Sequence, residues 1–122
     1  MRVLIVDDSR AMRMIVKRAM RRAGYKDHET VEANNGVEAL EIMDSSGVPD
    51  VVLCDWNMPE MTGIALLQEV NERGYKPELF GFITSEGTPM MREKAREAGA
   101  NFLLGKPFTP EALRMLLDPV LG

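Results

Sequence analysis

The stretch "VVLCDWNMPEMTG", residues 51–63, holds the contradiction on which the reading of this chain turns. Val51 to Cys54 is a short apolar run that asks for burial. It ends in a carboxylate, Asp55, and then comes Trp56, Asn57 and a Met-Pro pair. A dry strand that finishes in a charge must deliver that charge to a place where it is used. Three other runs share its character: "VLIV" at 3–6, "LFGFI" at 79–83 and "FLLG" at 102–105. Short apolar runs without polar alternation suit strands buried on both faces, as in a parallel sheet. A more polar segment, Glu29 to Ala33, suits an edge strand of the same sheet.

Helical patterns fill every gap. Ser9 is placed to cap a helix running to about Ala23, with Gly24 ending it and Met12, Ile15, Val16, Ala19 and Met20 as its apolar stripe. Asn35-Gly36 precedes a second helix carrying Val37, Leu40, Ile42 and Met43. Thr62 opens a third, through Ile64, Leu67 and Val70. Thr88-Pro89 opens a fourth that Gly99 ends, and Thr109-Pro110-Glu111 opens a fifth, with Leu113, Leu116 and Leu117, that Pro119 stops. Strand and helix alternate five times. This predicts an α/β fold, a five-stranded parallel sheet with helices on both faces. No repeat, low-complexity tract or linker interrupts it, so 1–122 reads as one domain with no length left for an output domain.

Composition narrows the function classes. The 122 residues carry a formal net charge of −4, which argues against general nucleic-acid binding. No apolar run approaches the ~18 residues of a membrane span, and the acidic end of "RVLIVDD" does not suit a signal peptide. The single cysteine, Cys54, excludes an intramolecular disulfide and reads as a packing residue rather than a redox sensor. A cytoplasmic protein is expected. Against the acidic whole, Arg10, Arg13, Lys17, Arg18, Arg21 and Arg22 crowd one segment, either as a solvated face or as a dock for an acidic partner.

In a parallel sheet all strands end on one rim, where ligands bind. The strand ends supply Asp7 and Asp8, Asp55, Thr84 and Ser85, and Lys106. Carboxylates held together repel unless a cation joins them. With oxygen ligands only and no clustered His or Cys, that cation is hard: Mg²⁺, with Mn²⁺ as a substitute. Lys106 suits a phosphoryl oxygen and Thr84 can donate a hydrogen bond to it. Asp55 is then set up as a nucleophile toward phosphorus.

With these spacings, "VDDS" (6–9), "CDWNMPEMTG" (54–63), "ITSEG" (83–87) and "AGANFLLGKPFTPE" (98–111) resemble the receiver domain of bacterial two-component response regulators. "DWNMP" and "KPFT" resemble its CheY-like, single-domain branch. The resemblance implies a flavodoxin-like (βα)5 fold with strand order 2-1-3-4-5. It implies Asp55 as phosphoacceptor, with Thr84 and Lys106 engaging the phosphoryl group. Mg²⁺ would be held by Asp8, by Asp7 partly through water, by Asp55 and by the Asn57 backbone carbonyl. Lys106–Pro107 would be a cis peptide, and Asn57 and Glu86 would tune a short phosphoryl lifetime. The donor would be a sensor histidine kinase or a histidine phosphotransferase. The output would be phosphorylation-dependent binding of a target protein, as in chemotaxis, by a monomer that needs neither nucleic acid nor membrane. Met90, Met91 and Phe108 would belong to the partner surface. Such a protein is no enzyme beyond its own phosphorylation and dephosphorylation.

One departure stands out. The family's usual aromatic lies three residues before the lysine, where this chain has Leu103, with Phe102 one earlier. Neighbours on a strand face opposite sides, so Phe102 does not replace the ring without a bulge. Gly105, before Lys106, would loosen the strand end or admit close backbone approach. The CheY-like motifs lean toward a diffusible messenger, and this departure weakens that lean against the alternative within the class, a phosphorelay shuttle passing phosphate to a second histidine. Two rivals lie outside it. A haloacid-dehalogenase-type aspartyl phosphatase wants a second Asp where Asn57 stands, and would turn over small phosphate esters. A flavin or nucleotide carrier wants a Gly- or hydroxyl-rich loop where "DDSRAM" stands, and would purify with its ligand.

Overall fold

The computed structural model describes residues 1–122 and alternates strand and helix throughout. In chain order the elements are β1 (Arg2–Val6), α1 (Arg10–Arg22), β2 (Glu29–Ala33), α2 (Gly36–Ser46), β3 (Val51–Cys54), α3 (Gly63–Glu72), β4 (Leu79–Thr84), α4 (Pro89–Glu97), β5 (Phe102–Gly105) and α5 (Pro110–Leu121). All strand pairs are parallel and the sheet order is β2-β1-β3-β4-β5. β3 is flanked on both sides and every residue of it is buried. β2, at an edge, keeps Glu29 exposed and only Ala33 buried, which is why its sequence is polar.

Strand alternation sends the side chains into two cores. Leu4, Val6, Val52, Cys54, Phe80, Phe82 and Leu103 pack with α2, α3 and α4. Val3, Ile5, Val51, Leu53, Leu79 and Ile83 pack with α1 and α5 on the other face. Each helix starts on a side-chain cap, Ser9, Asn35, Thr62, Thr88 or Thr109, whose oxygen accepts a backbone N–H three residues on.

Three sequence expectations are corrected here. Ile15 is 47% exposed, Val37 is also exposed, and Arg13 is buried in α1. Arg13, Val16 and Met20, spaced by three and four, make the inward stripe, and Ile15 lies round the helix from it. Pro119 does not stop α5, which continues to Leu121. Proline forfeits one backbone bond, but so near the terminus the turn still closes, through Gly122 N–H to the Asp118 carbonyl at 2.9 Å. Finally, nothing approaches the open side of Gly105 within 4 Å, so close backbone packing is not its role.

Candidate functional site

Asp7, Asp8 and Asp55 meet where β1 and β3 end, side by side in the sheet. Their carboxylate oxygens lie within 4.8 Å of one another. Asp7 is only 4% exposed. Its Oδ1 accepts the Ser9 backbone N–H at 2.8 Å and its Oδ2 accepts Lys106 Nζ at 3.2 Å. Asp55 is half-buried; its Oδ1 accepts the Trp56 backbone N–H at 2.8 Å, with Lys106 Nζ 3.7 Å away. Asp8 is exposed at the mouth. Burial pushes the Asp55 carboxyl above its ordinary value; Lys106 opposes this and the neighbouring Asp7 adds to it. The donor set is oxygen only, so the cluster fits a hard divalent cation.

Local sequence explains why the loop after β3 returns onto Asp55. Gly63 opens α3 with its N–H on the Trp56 carbonyl at 2.8 Å. Any Cβ there would overlap the Asp55 carbonyl and lie 2.8 Å from the Phe82 ring. Glycine is therefore required by close approach. The left-handed turn falls instead on Glu60, at φ 68°. Trp56 is buried against Phe82, ring centroids 4.9 Å apart. Cys54 is buried too, and burial followed by the Asp55 and Asp7 charges pushes its thiol well up, leaving an inert packing residue.

Thr84 ends β4, fully buried, on the sheet face that carries Phe80 and Phe82. Its Oγ1 accepts the Glu86 N–H at 3.2 Å. Glu86 and Asn57 are exposed. The Lys106–Pro107 peptide is cis. Leu103 lies on the same face as Phe82, its register partner, and so shares the face of Thr84. Phe102 lies on the other face, packed against the α1–α5 core. Its ring covers Gly81, its register partner, where any Cβ would overlap it. No bulge brings Phe102 round, and the ring instead fills the slot that Gly81 leaves. Arg92 of α4 reaches the Leu103 carbonyl at 3.0 Å, tying α4 to β5 at this position.

Of the expected partner residues, Met91 packs against the core while Met90 is 68% exposed. Phe108 is half-buried and joins Met12, Ile15, Ser85, Lys106 and Pro107 around an open groove of about 370 Å³ beside the site. The sequence reading missed Arg13, whose Nη1 donates to the Asp7 carbonyl and whose Nε donates to Glu32 Oε1 at 2.9 Å. The signal was available in its spacing from Val16 and Met20.

A parallel sheet of this order, with three carboxylates, a threonine and a lysine gathered at its C-terminal rim, is the arrangement of a phosphoryl-accepting receiver. A model of the family described as "Response regulator receiver domain" matches residues 3–118, and the chain belongs to that family of two-component signalling regulators. It is 42% identical to the chemotaxis protein CheY1 of Helicobacter pylori, over 100% of this chain and 98% of that protein. It is 40% identical to the chemotaxis protein CheY homolog of Campylobacter jejuni, over 100% of this chain and 93% of that protein. Among solved structures, the chemotaxis protein CheY4 of Vibrio cholerae superposes with a TM-score of 0.84 at 36% identity, over 98% of each chain. No helix is long and apolar enough to cross a membrane.

Proposed function

We propose that this response regulator accepts a phosphoryl group on Asp55 from a phosphohistidine donor and signals, in a chemotaxis pathway, by binding a target protein. The observation that carries the proposal is the convergence of Asp7, Asp8, Asp55 and Lys106 at the rim, with Lys106 Nζ bridging Asp7 and Asp55.

Asp7, Asp8, Asp55 and the Asn57 carbonyl would hold Mg²⁺, which when bound supplies neutralisation of the charge on the transferring phosphoryl oxygens. Asp55 Oδ1 is engaged by the Trp56 N–H, which leaves Oδ2 to attack phosphorus in line. The P–N bond of the donor breaks, and its electron pair stays on the imidazole nitrogen. Lys106 then contacts a phosphoryl oxygen. The phosphorylated side chain carries roughly −1.5 to −2 charge in place of the carboxylate's −1, by analogy with other phosphorylated side chains. Thr84, buried beside the pocket, gives up the Glu86 N–H and donates its hydroxyl to the phosphoryl group. The Ser85–Met90 segment follows, and α4, β5 and α5 shift population toward the arrangement a target binds. Asn57 and Glu86 flank the mouth and set how quickly water removes the group. The protein thus catalyses only its own phosphorylation and dephosphorylation, as a cytoplasmic monomer without a nucleic-acid partner.

Ile15, Arg18, Arg22 and Phe108 line a second groove on α1, and this basic, partly apolar face suits an acidic surface of a donor. Met90 and Met91 belong to the target face.

A second reading within the class has its own observation. Leu103 stands on the Thr84 face where the resemblance expects a ring, and Phe102 is on the other face. This favours a phosphorelay shuttle, which needs no aromatic reporter. One experiment serves both. Radiolabelled phosphate is offered from an autophosphorylated chemotaxis histidine kinase. Mg²⁺-dependent label on wild type and none on Asp55→Asn supports the proposal, and label on both refutes the assignment of Asp55. Loss of label to water supports the messenger reading, whereas persistent label that chases onto an added histidine phosphotransferase supports the shuttle.

A further inference from the structure

We infer that Arg13 is a positioning residue of the acidic site, setting its affinity for divalent cations through the Asp7–Asp8 peptide. The inference rests on the proposed cation role of that site.

Arg13 is only 7% exposed, unusual for a guanidinium. Its two partners are specific. Nη1 donates to the backbone carbonyl of Asp7, and that carbonyl belongs to the peptide joining Asp7 to Asp8. Nε donates to Glu32 of β2 at 2.9 Å, and Glu32 also takes Lys17 Nζ at 3.4 Å. Burial raises the Glu32 carboxyl, but the hydrogen bonds from Arg13 and Lys17 outweigh it and hold it below its ordinary value. The guanidinium is thus anchored from outside by a charged partner and aimed inward at one carbonyl.

The main chain of Asp7 is held from both sides. Its N–H donates to the Ala33 carbonyl at 3.1 Å, and its C=O accepts Arg13. Rotation of the following peptide would swing both neighbouring carboxylates, because Asp7 and Asp8 hang from its two ends. A planar fork is suited to fixing that plane, and an ammonium is not. Removing such an outer-shell partner typically costs ~10–100-fold in metal affinity.

The sign of the effect separates positioning from charge alone. Arg13 is a cation close to a cation site, so Coulomb repulsion predicts that its removal tightens Mg²⁺ binding. Positioning predicts that removal weakens it. The experiment titrates Mg²⁺ into apo protein by Trp56 fluorescence and by calorimetry, for wild type, Arg13→Met, Arg13→Lys and Glu32→Gln. The expected result is about tenfold weaker binding for Arg13→Met and for Arg13→Lys, with the smaller loss, about threefold, for Glu32→Gln. Phosphorylation by acetyl phosphate should return toward the wild-type rate once Mg²⁺ saturates, which a general loss of structure would not allow. Equal or tighter binding by Arg13→Met overturns the inference. If that variant does not fold, unchanged binding by Glu32→Gln overturns it. Wild type that binds no Mg²⁺ overturns the cation reading itself.

Discussion

The two halves of the rim are built differently. On the β1–β3 side every strand residue from Val3 to Val6 and from Val51 to Cys54 is buried. Asp7 there is held at N–H, C=O and both carboxylate oxygens. On the β4–β5 side the six residues Ser85–Met90 are exposed in succession. They lead into α4, which buries only Ala95, and that helix packs beside an edge strand ending in Gly105. Local stability should follow this difference. The first half holds the carboxylates in place, and the second carries the exposed segment that the proposed phosphorylation would move. Two side-chain bonds span this half beyond the β4–β5 ladder: Arg92 on the Leu103 carbonyl, and the Glu86 N–H on the Thr84 hydroxyl.

The largest effect should come from the residue that joins the halves. Lys106 reaches from the end of β5 to both Asp7 and Asp55. Lys106→Met should slow adduct formation by acetyl phosphate by ~10²-fold, followed by intact mass, as for loss of one preorganised charge donor. Thr84→Ala should leave that rate within about tenfold and instead abolish the shift of α4 resonances on phosphorylation. If both variants fail at the same step, the division of labour is wrong.

The Asp55 charge gives a pH test of the first half. Burial, with the nearby Asp7 adding to it, raises the folded carboxyl against the opposing pull of Lys106. A raised carboxylate favours the protonated folded form, so its ionised form destabilises the apo protein above the unfolded value, and the penalty is relieved as pH falls through the folded value. Asp55→Asn should therefore raise apo Tm at pH 7 by ~2–5 °C, with the gain shrinking toward acid pH. A gain that is constant with pH would deny the charge its part. Saturating Mg²⁺ should narrow the difference from the wild-type side, by mass action.

The second half is predicted to be stabilised by a size swap across β4 and β5. Phe102→Ala should cost ~2–4 kcal/mol by opening the slot over Gly81. Gly81→Ala should cost ~1–3 kcal/mol through overlap with the ring. The double variant should cost clearly less than the sum in urea unfolding, whereas strict additivity would place the ring elsewhere.

The smallest effect lies far from the rim. Tyr25, after α1, donates its hydroxyl to Asp118 of α5, and burial followed by that bond pushes its pKa up to about 12. Tyr25→Phe should cost ~1 kcal/mol at pH 7 and leave phosphorylation unchanged. The contribution is full below the ordinary value of 10.0 and fades as pH rises through about 12.

Much of this was legible in the residues because short apolar runs left little choice. Val51 to Cys54, Phe102 to Gly105 and Glu29 to Ala33 are strands with the expected bounds, since each is too short for a helix and lies between helix signals. The acids were legible because Asp7 and Asp55 directly follow such strands, and a parallel sheet brings strand ends to one rim. The strand order came from family resemblance, since periodicity does not specify which strands pair. Arg13 was missed because a charge was assumed to face water, although its spacing from Val16 and Met20 placed it inside. Pro119 misled because its missing N–H matters little in a final turn. The Gly81–Phe102 fit depends on register between two strands distant in sequence, which the linear pattern does not carry.

The most direct test of the central claim is intact mass after acetyl phosphate, with and without Mg²⁺, on wild type and Asp55→Asn. The account predicts one added phosphoryl group on wild type that requires both Mg²⁺ and Asp55. No adduct on wild type, or an adduct that persists in Asp55→Asn, would contradict it.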